Sequence, residues 1–315
     1  YLNNALGKPK KKKFLARKKG YHGITVASGS MTGIPANHKL FDLPLPNFFH
    51  TDTPHFYREK LPNETEEDFV IRITNNLEEL INKEGSDSFM AMIAEPLIGA
   101  GGVLIPPKNY FPSIQNVLDK YDIPLIDDEV VCGFGRTGKS FGAVKYNVQP
   151  DMITMAKAIT NGAQPMGAVG VSDKIYNAIV DNGPEHGVEF FHGYTYSGHP
   201  ACVAASLATL DVYEKEDVFA RAEKMSPYFI DAVFDAFQDI PIVTDVRADG
   251  MMAAFDLAVD KNPGVRGYDA QKKTFANGVH IKFTGDAGIV APALIAEEKH
   301  IDEMLQRIKE VLVKY

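Results

Sequence analysis

Cysteine is nearly absent: the 315 residues include only Cys132 and Cys202, and no tryptophan. Two cysteines far apart, without metal-type spacing, exclude a disulfide framework and a structural zinc centre, and they fit a reducing, cytoplasmic compartment. No apolar stretch approaches the ~20 residues of a membrane span, and no signal-peptide pattern is present. Excess positive charge is missing too. The formal net charge is −8, so the bulk surface repels nucleic acid and anionic membrane, and neither is expected as a partner. One local exception is Lys8-Pro9-Lys10-Lys11-Lys12-Lys13, followed by Arg17, Lys18 and Lys19. That run is read as a solvated surface segment in preference to a localisation signal or a nucleic-acid patch. The first residue is Tyr1, not methionine, and YLNNALG reads as the end of a helix already under way, so a segment is expected before residue 1.

What is present is apolar content of 45%, ample for one large or two ordinary domains. Residues 65–82 carry Phe69, Ile73, Leu77, Leu80 and Ile81 at helical spacing, with acids in the first turn. FMAMIAEP (89–96) predicts a buried strand stopped by proline. PSIQNVLDKYD (112–122) predicts a helix with Pro112 in its first turn. IPLIDDEVV (123–131), MITMAKAI (152–159) and GAVGVS (167–172) predict three further strands, with a helix near 174–180. This alternation predicts an α/β fold, a mostly parallel sheet covered by helices on both faces. Beyond about residue 218 the texture changes. A helix at 219–238, strands at 240–247 and 251–258, a helical stretch near 268–277, the short pieces VHIKF and GIVAP, and a closing helix at 297–314 predict a smaller C-terminal α+β domain. The expected division is 1–218 and 219–315.

The stretch LIDDEVVCGFGRTGKS (125–140) fits several signatures. Gly133, Gly138, Lys139 and Ser140 spell a P-loop, and MAAFD (252–256) can pose as its magnesium strand. A P-loop offers N–H groups and a lysine to phosphate, so Asp127, Asp128 and Glu129 just upstream oppose the anion, and too few residues precede the Gln149-Pro150 breaker for the long helix required. Gly133, Gly135 and Gly138 also spell a dinucleotide fingerprint, but Asp151 begins the next strand where an acid should end it. A glycine-rich connection without any ligand also fits the glycines.

The strand ends supply another reading. Ligands of open parallel sheets bind beyond the carboxyl ends of the strands, and three strands each bring an ionisable residue there: Glu95, Asp128 and Lys157, separated by 33 and 29 residues. A lysine and an acid converging on one crevice suit pyridoxal 5′-phosphate (PLP), whose aldehyde forms a Schiff base with lysine and whose pyridine nitrogen must stay protonated. Period-two alternation turns Asp128 and Val130 to one side and Asp127 and Glu129 to the other. Asp128 would bond the ring nitrogen, favouring its charged form, with Val130 against the ring face. Each residue also has a plainer reading: Lys157 snorkelling from a strand, Tyr21 as a core tyrosine, Glu95 merely ending a strand, and Met152 and Met155 as strand core.

IDDEVVCGFGRTG, PDMITMAKAITNGAQPMGAV, GYTYSGHPACVAA, ARKKGYHGITVASGSMTG and AEPLIGAGGVLIPPKNYFP together closely resemble the class III aminotransferases, the omega-transaminases of PLP fold type I, over nearly the whole chain. The resemblance implies Lys157 as the Schiff-base lysine and proton carrier and Asp128 on the ring nitrogen. It implies Val130 and Tyr21 on the two ring faces, His22 beside the ring, and Glu95 supporting the Asp128 region. Thr195 would bind the cofactor phosphate of the other subunit of a homodimer with shared active sites. A hydroxyl beside the helix expected from Pro200 suits an anion independently. Two departures follow. The family's serine-glycine phosphate cup precedes the stacking tyrosine by more than the chain provides, so a long N-terminal segment is expected to be missing. Lys282, in VHIKFTGD, stands where many members carry a substrate-gripping arginine, and lysine is a point charge without a bidentate fork.

The expected function is PLP-dependent transfer of an amino group from a primary amine or omega-amino acid to a keto acid such as pyruvate. Alternatives are an aminomutase of the glutamate-1-semialdehyde kind, a P-loop nucleotide hydrolase, and a catalytically silent fragment with a structural role.

Overall fold

The computed structural model describes residues 1–315. The chain forms two compact units, one of residues 1–96, 106–131 and 146–211, the other of residues 97–105, 132–145 and 212–315.

The first unit is built on a six-stranded sheet of β1 (Lys13–Arg17), β2 (Phe48–Thr51), β3 (Phe89–Ala94), β4 (Leu125–Asp128), β5 (Met152–Met155) and β6 (Ala168–Val171), in the order β2-β1-β3-β4-β5-β6. All pairs are parallel except the last, where β6 runs against β5. The apolar strands expected near 89, 125, 152 and 168 are therefore present, and each parallel pair is joined through helical chain, as parallel geometry demands. The helix Glu66–Glu84 shows why. Thr65 Oγ1 accepts the Asp68 amide at 3.1 Å as an N-cap, acids occupy the first turn, and Phe69, Val70, Ile73, Leu77 and Ile81 form the buried stripe. Each such side chain contributes about 2 kcal/mol when removed from water.

Two strands were not expected. β1 begins at Lys13, inside the lysine run, and β2 lies in a proline-rich stretch. The lysine run is accordingly less solvated than its composition suggests. Lys11 is buried, with its ammonium on the Tyr121 and Asp122 carbonyls, while Lys8 pairs with Asp122 at 2.6 Å and Lys13 pairs with Glu84. Burial pulls the Lys11 pKa down, and the Asp122 carboxylate opposes that pull.

The second unit carries a four-stranded antiparallel sheet of β7 (Val243–Asp249), β8 (Met252–Leu257), β9 (Lys282–Thr284) and β10 (Ala287–Val290), ordered β7-β8-β10-β9. The helices Val218–Phe237, Val265–Ala276 and Glu298–Leu312 pack on it around Phe229, Phe237, Phe255, Leu305 and Ile308. Buried Arg247 ties this sheet to the segment at 97–105, reaching the Gly102 carbonyl and Asp256 Oδ1. No helix is long and apolar enough to cross a membrane.

The loop 133–140 does not open a long helix. Only the short helix Gly142–Tyr146 follows, and Lys139 is paired with Glu223. Its left-handed glycines, Gly135 at φ 94° and Gly138 at φ 80°, serve a turn. The P-loop and dinucleotide readings both need a helix that is not there.

Candidate active site at the carboxyl edge of the parallel sheet

Glu95, Asp128 and Lys157 all stand at the carboxyl edge of the first unit's sheet. Asp128 closes β4, Glu95 follows β3 by one residue, and Lys157 follows β5 by two. β4 lies between β3 and β5, with Asp128 opposite Thr154 in register. The strands are shorter than their apolar runs imply. Lys157 was expected on a strand, but it opens a 3-10 turn with φ 50°, a left-handed backbone, and its side chain is exposed.

Asp128 is 5% exposed, and two donors hold it. His22 Nδ1 lies 2.8 Å from Oδ2, and the Val130 amide donates to Oδ1 at 3.1 Å. The ladder strand ends at Asp128, so Val130 lies in the following turn, and what it gives Asp128 is its amide.

His22 and Tyr21 are delivered by the loop after β1. The Tyr21 amide donates to Glu95 Oε1 at 2.9 Å and the His22 amide to Thr32 Oγ1 at 2.9 Å. The turn is tight: a Cβ on Gly33 would overlap the Arg17 carbonyl oxygen and lie 2.8 Å from Lys18 Cα. Only glycine allows that approach. Glu95, 2% exposed, thus fixes the loop that carries Tyr21. The His22 side chain is fully buried, and its Nε2 has no protein partner. Thr154 Oγ1, on the residue beside Asp128, is likewise buried and unpartnered.

Thr195 lies exposed in the turn ahead of the helix Pro200–Lys215, as its sequence context implied. Lys282 is exposed on β9, in the second unit. His22 was expected beside the ring, but its contact with Asp128 escaped sequence reasoning, and so did Arg17. The contact of His22 with Asp128 bridges 106 positions, and no local pattern reports it. Arg17 is fully buried, its Nη2 on the Glu95 carbonyl; it hid in a run of cations, betrayed only by the apolar Phe14-Leu15-Ala16 before it.

The family model described as aminotransferase class-III matches residues 2–312. The chain is a class-III aminotransferase family member. Among similar proteins, the gamma aminobutyrate transaminase 3, chloroplastic, of Solanum lycopersicum is 43% identical over 320 residues, covering 99% of this chain and 61% of the tomato protein. The vanillin aminotransferase of Capsicum chinense is 42% identical over 313 residues, covering 97% of this chain and 68% of the relative. The omega transaminase from Pseudomonas jessenii, solved in complex with PMP, superposes with a TM-score of 0.96 at 40% identity, covering all of this class-III chain and 70% of that one. This chain spans about 60% of the length of the first plant relatives it matches.

Proposed function

We propose that this class-III chain is the catalytic portion of a PLP-dependent aminotransferase that moves an amino group from a primary amine or omega-amino acid to a keto acid such as pyruvate. The observation that carries this reading is the buried Asp128, gripped by two N–H donors at a strand end, with lone-pair directions left on both oxygens and a lysine beyond the adjacent strand. Such a carboxylate suits a pyridinium N–H, and the unpartnered His22 Nε2 and Thr154 Oγ1 mark polar space beside it. The residues therefore fit PLP. Bound PLP supplies an aldehyde that captures amines and a cationic ring that accepts the electron pair released at the amine-bearing carbon.

The chain's own groups do the rest. Asp128 stabilises the proton on the ring nitrogen, and His22 orients Asp128 by filling Oδ2. Glu95 anchors the Tyr21 loop so that the tyrosine ring covers one face of the cofactor, while Val130 flanks the other. Lys157 Nζ would hold the cofactor aldehyde, and the same amine is the group that would move a proton at the amine-bearing carbon. Thr195 holds the phosphate of the neighbouring subunit in a homodimer, and Lys282 receives substrate carboxylate as a point charge. The relatives named for gamma-aminobutyrate and vanillin support a donor whose amine lies away from an α-carboxylate. A reducing, cytoplasmic location is part of the same reading.

The test is covalent attachment. Wild-type protein incubated with PLP and borohydride should gain the cofactor mass on the peptide containing Lys157; Lys157→Ala should gain none. Asp128→Ala should keep some PLP yet lose turnover by about a thousandfold, since an electrostatic contact of this kind is worth several kcal/mol. Labelling of Lys157→Ala at normal stoichiometry would sink the assignment.

A further inference from the structure

The end of β4 and the residue after it bury three successive carboxylates, and the proposed function uses only the middle one. Asp127 and Glu129 are 0% and 1% exposed. Asp127 points to the side of β4 away from Asp128, and Glu129, just past the strand, is close enough to share a side-chain hydrogen bond with it. One residue beyond the strand, the Glu129 amide still bonds the Thr154 carbonyl at 3.0 Å. The cation for this face is Arg17 at the end of β1, fully buried, its guanidinium 5.8 Å and 5.7 Å from the ring centroids of Tyr110 and Phe111. Arg17 Nε and Nη1 have no hydrogen-bond partner, and no N–H donor reaches either Asp127 oxygen, whose side-chain hydrogen bond is with the Glu129 carboxyl. The groups facing Asp127 are Glu129 just past its strand, Asp128 beside it and Arg17 from β1, with Tyr110 behind the guanidinium.

Two carboxylates and one guanidinium in a dry interior carry one surplus negative charge, and a bare buried anion is costly enough to take up a proton instead. Neutral Asp127 needs no cation, and Glu129 is then balanced by Arg17. We propose that Asp127 is carried as a neutral acid, holding the one proton of an Arg17–Asp127–Glu129 cluster that acts as a positioning device behind the cofactor strand, so that Asp128 alone of the three offers charge to the ring nitrogen. The positioning half rests on the assignment of Asp128 to PLP; the proton-holding half does not. Burial, then the charge of Glu129 and the hydrogen bond shared with it, then the charge of Asp128, push the Asp127 pKa up to about 10 against the opposing pull of Arg17, in keeping with this geometry.

The linkage has a definite sign. A carboxyl whose folded pKa is raised binds more protons in the native than in the unfolded state between the ordinary Asp value and about 10. Its contribution to stability is therefore fully present below the unfolded pKa and is lost as pH rises through that window. Urea unfolding of the cofactor-free full chain between about pH 5 and about pH 9 reads this directly, because one proton changes the folding constant by about tenfold per pH unit. Asp127→Asn should flatten the slope relative to wild type and be the more stable protein at the alkaline end. Glu129→Gln should flatten it too, by letting Asp127 pair with Arg17. Asp127→Asn/Glu129→Gln should be less stable than either single variant, because Arg17 is then uncompensated.

Parallel curves for wild type and Asp127→Asn would overturn the proton assignment. For positioning, equilibrium dialysis with PLP should give Asp127→Asn an affinity within about twofold of wild type and the double variant one at least about tenfold weaker. A double variant that binds PLP like wild type overturns the positioning half. If instead Asp128→Asn leaves PLP affinity unchanged, the cofactor assignment itself fails, and the slopes still decide the proton.

Discussion

At the scale of single residues, His22 is the side chain on which the site's geometry turns. Its ring is buried against Asp128, and replacing it removes a hydrogen bond to a charged group, worth about 1.5 kcal/mol or more. His22→Phe, which keeps a ring and removes the donor, should weaken PLP binding by about tenfold, read by absorbance titration, and lower the urea midpoint through the same lost bond. An unchanged affinity would mean that the Val130 amide alone suffices to orient Asp128. The acids of the site were legible because strand ends announce themselves: an apolar run stops, a carboxylate stands at the stop, and the next strand repeats the arrangement. The bond from His22 to Asp128 and the burial of Arg17 were not legible. Both come from partners across the sheet, and a residue's own neighbours in sequence carry no trace of a bond that spans 106 positions or of a guanidinium enclosed by two aromatic rings from a later helix.

At the scale of elements, helices spoke more plainly than strands. The helix Glu66–Glu84 has cap, acidic first turn and apolar stripe all pointing one way, and it runs within two residues of the expected span. Thr65→Ala should destabilise the protein by about 1 kcal/mol through the lost cap, measured by urea unfolding at constant m-value. Strands were overextended because apolar runs continue past the last ladder bond. The run at 152–159 contributes only four residues to the sheet, and the turn after it places Lys157. β1 was missed for the opposite reason. Its lysines read as solvent-facing, yet Lys11 and Lys13 lie along the protein with their ammonium groups on acceptors at 84, 121 and 122.

At the scale of the whole molecule, apolar side chains are left facing outward in the first unit. Leu207 is 60% and Leu210 43% exposed on the helix Pro200–Lys215, and Val169 and Val171 stand at 64% and 45% on the edge strand β6. Apolar surface of this extent in an otherwise acidic protein points to assembly rather than to scattered exposure, consistent with the homodimer proposed above. Leu207→Glu/Leu210→Glu should shift sedimentation from a dimer toward a monomer; a dimer that persists unchanged would place the subunit contact elsewhere. The fold class was legible from the alternation of strand and helix patterns. The excursions 97–105 and 132–145 into the second unit were not, since they carry no pattern of their own and belong there through contacts such as the Arg247 bond to Gly102.

The left-handed backbone of Lys157 has one more implication. Side chains with a Cβ resist that conformation by roughly 1–2 kcal/mol, and glycine or asparagine would adopt it at less cost. The backbone conformation alone therefore gives no reason to keep lysine at 157, and what holds lysine there is the work of its side chain.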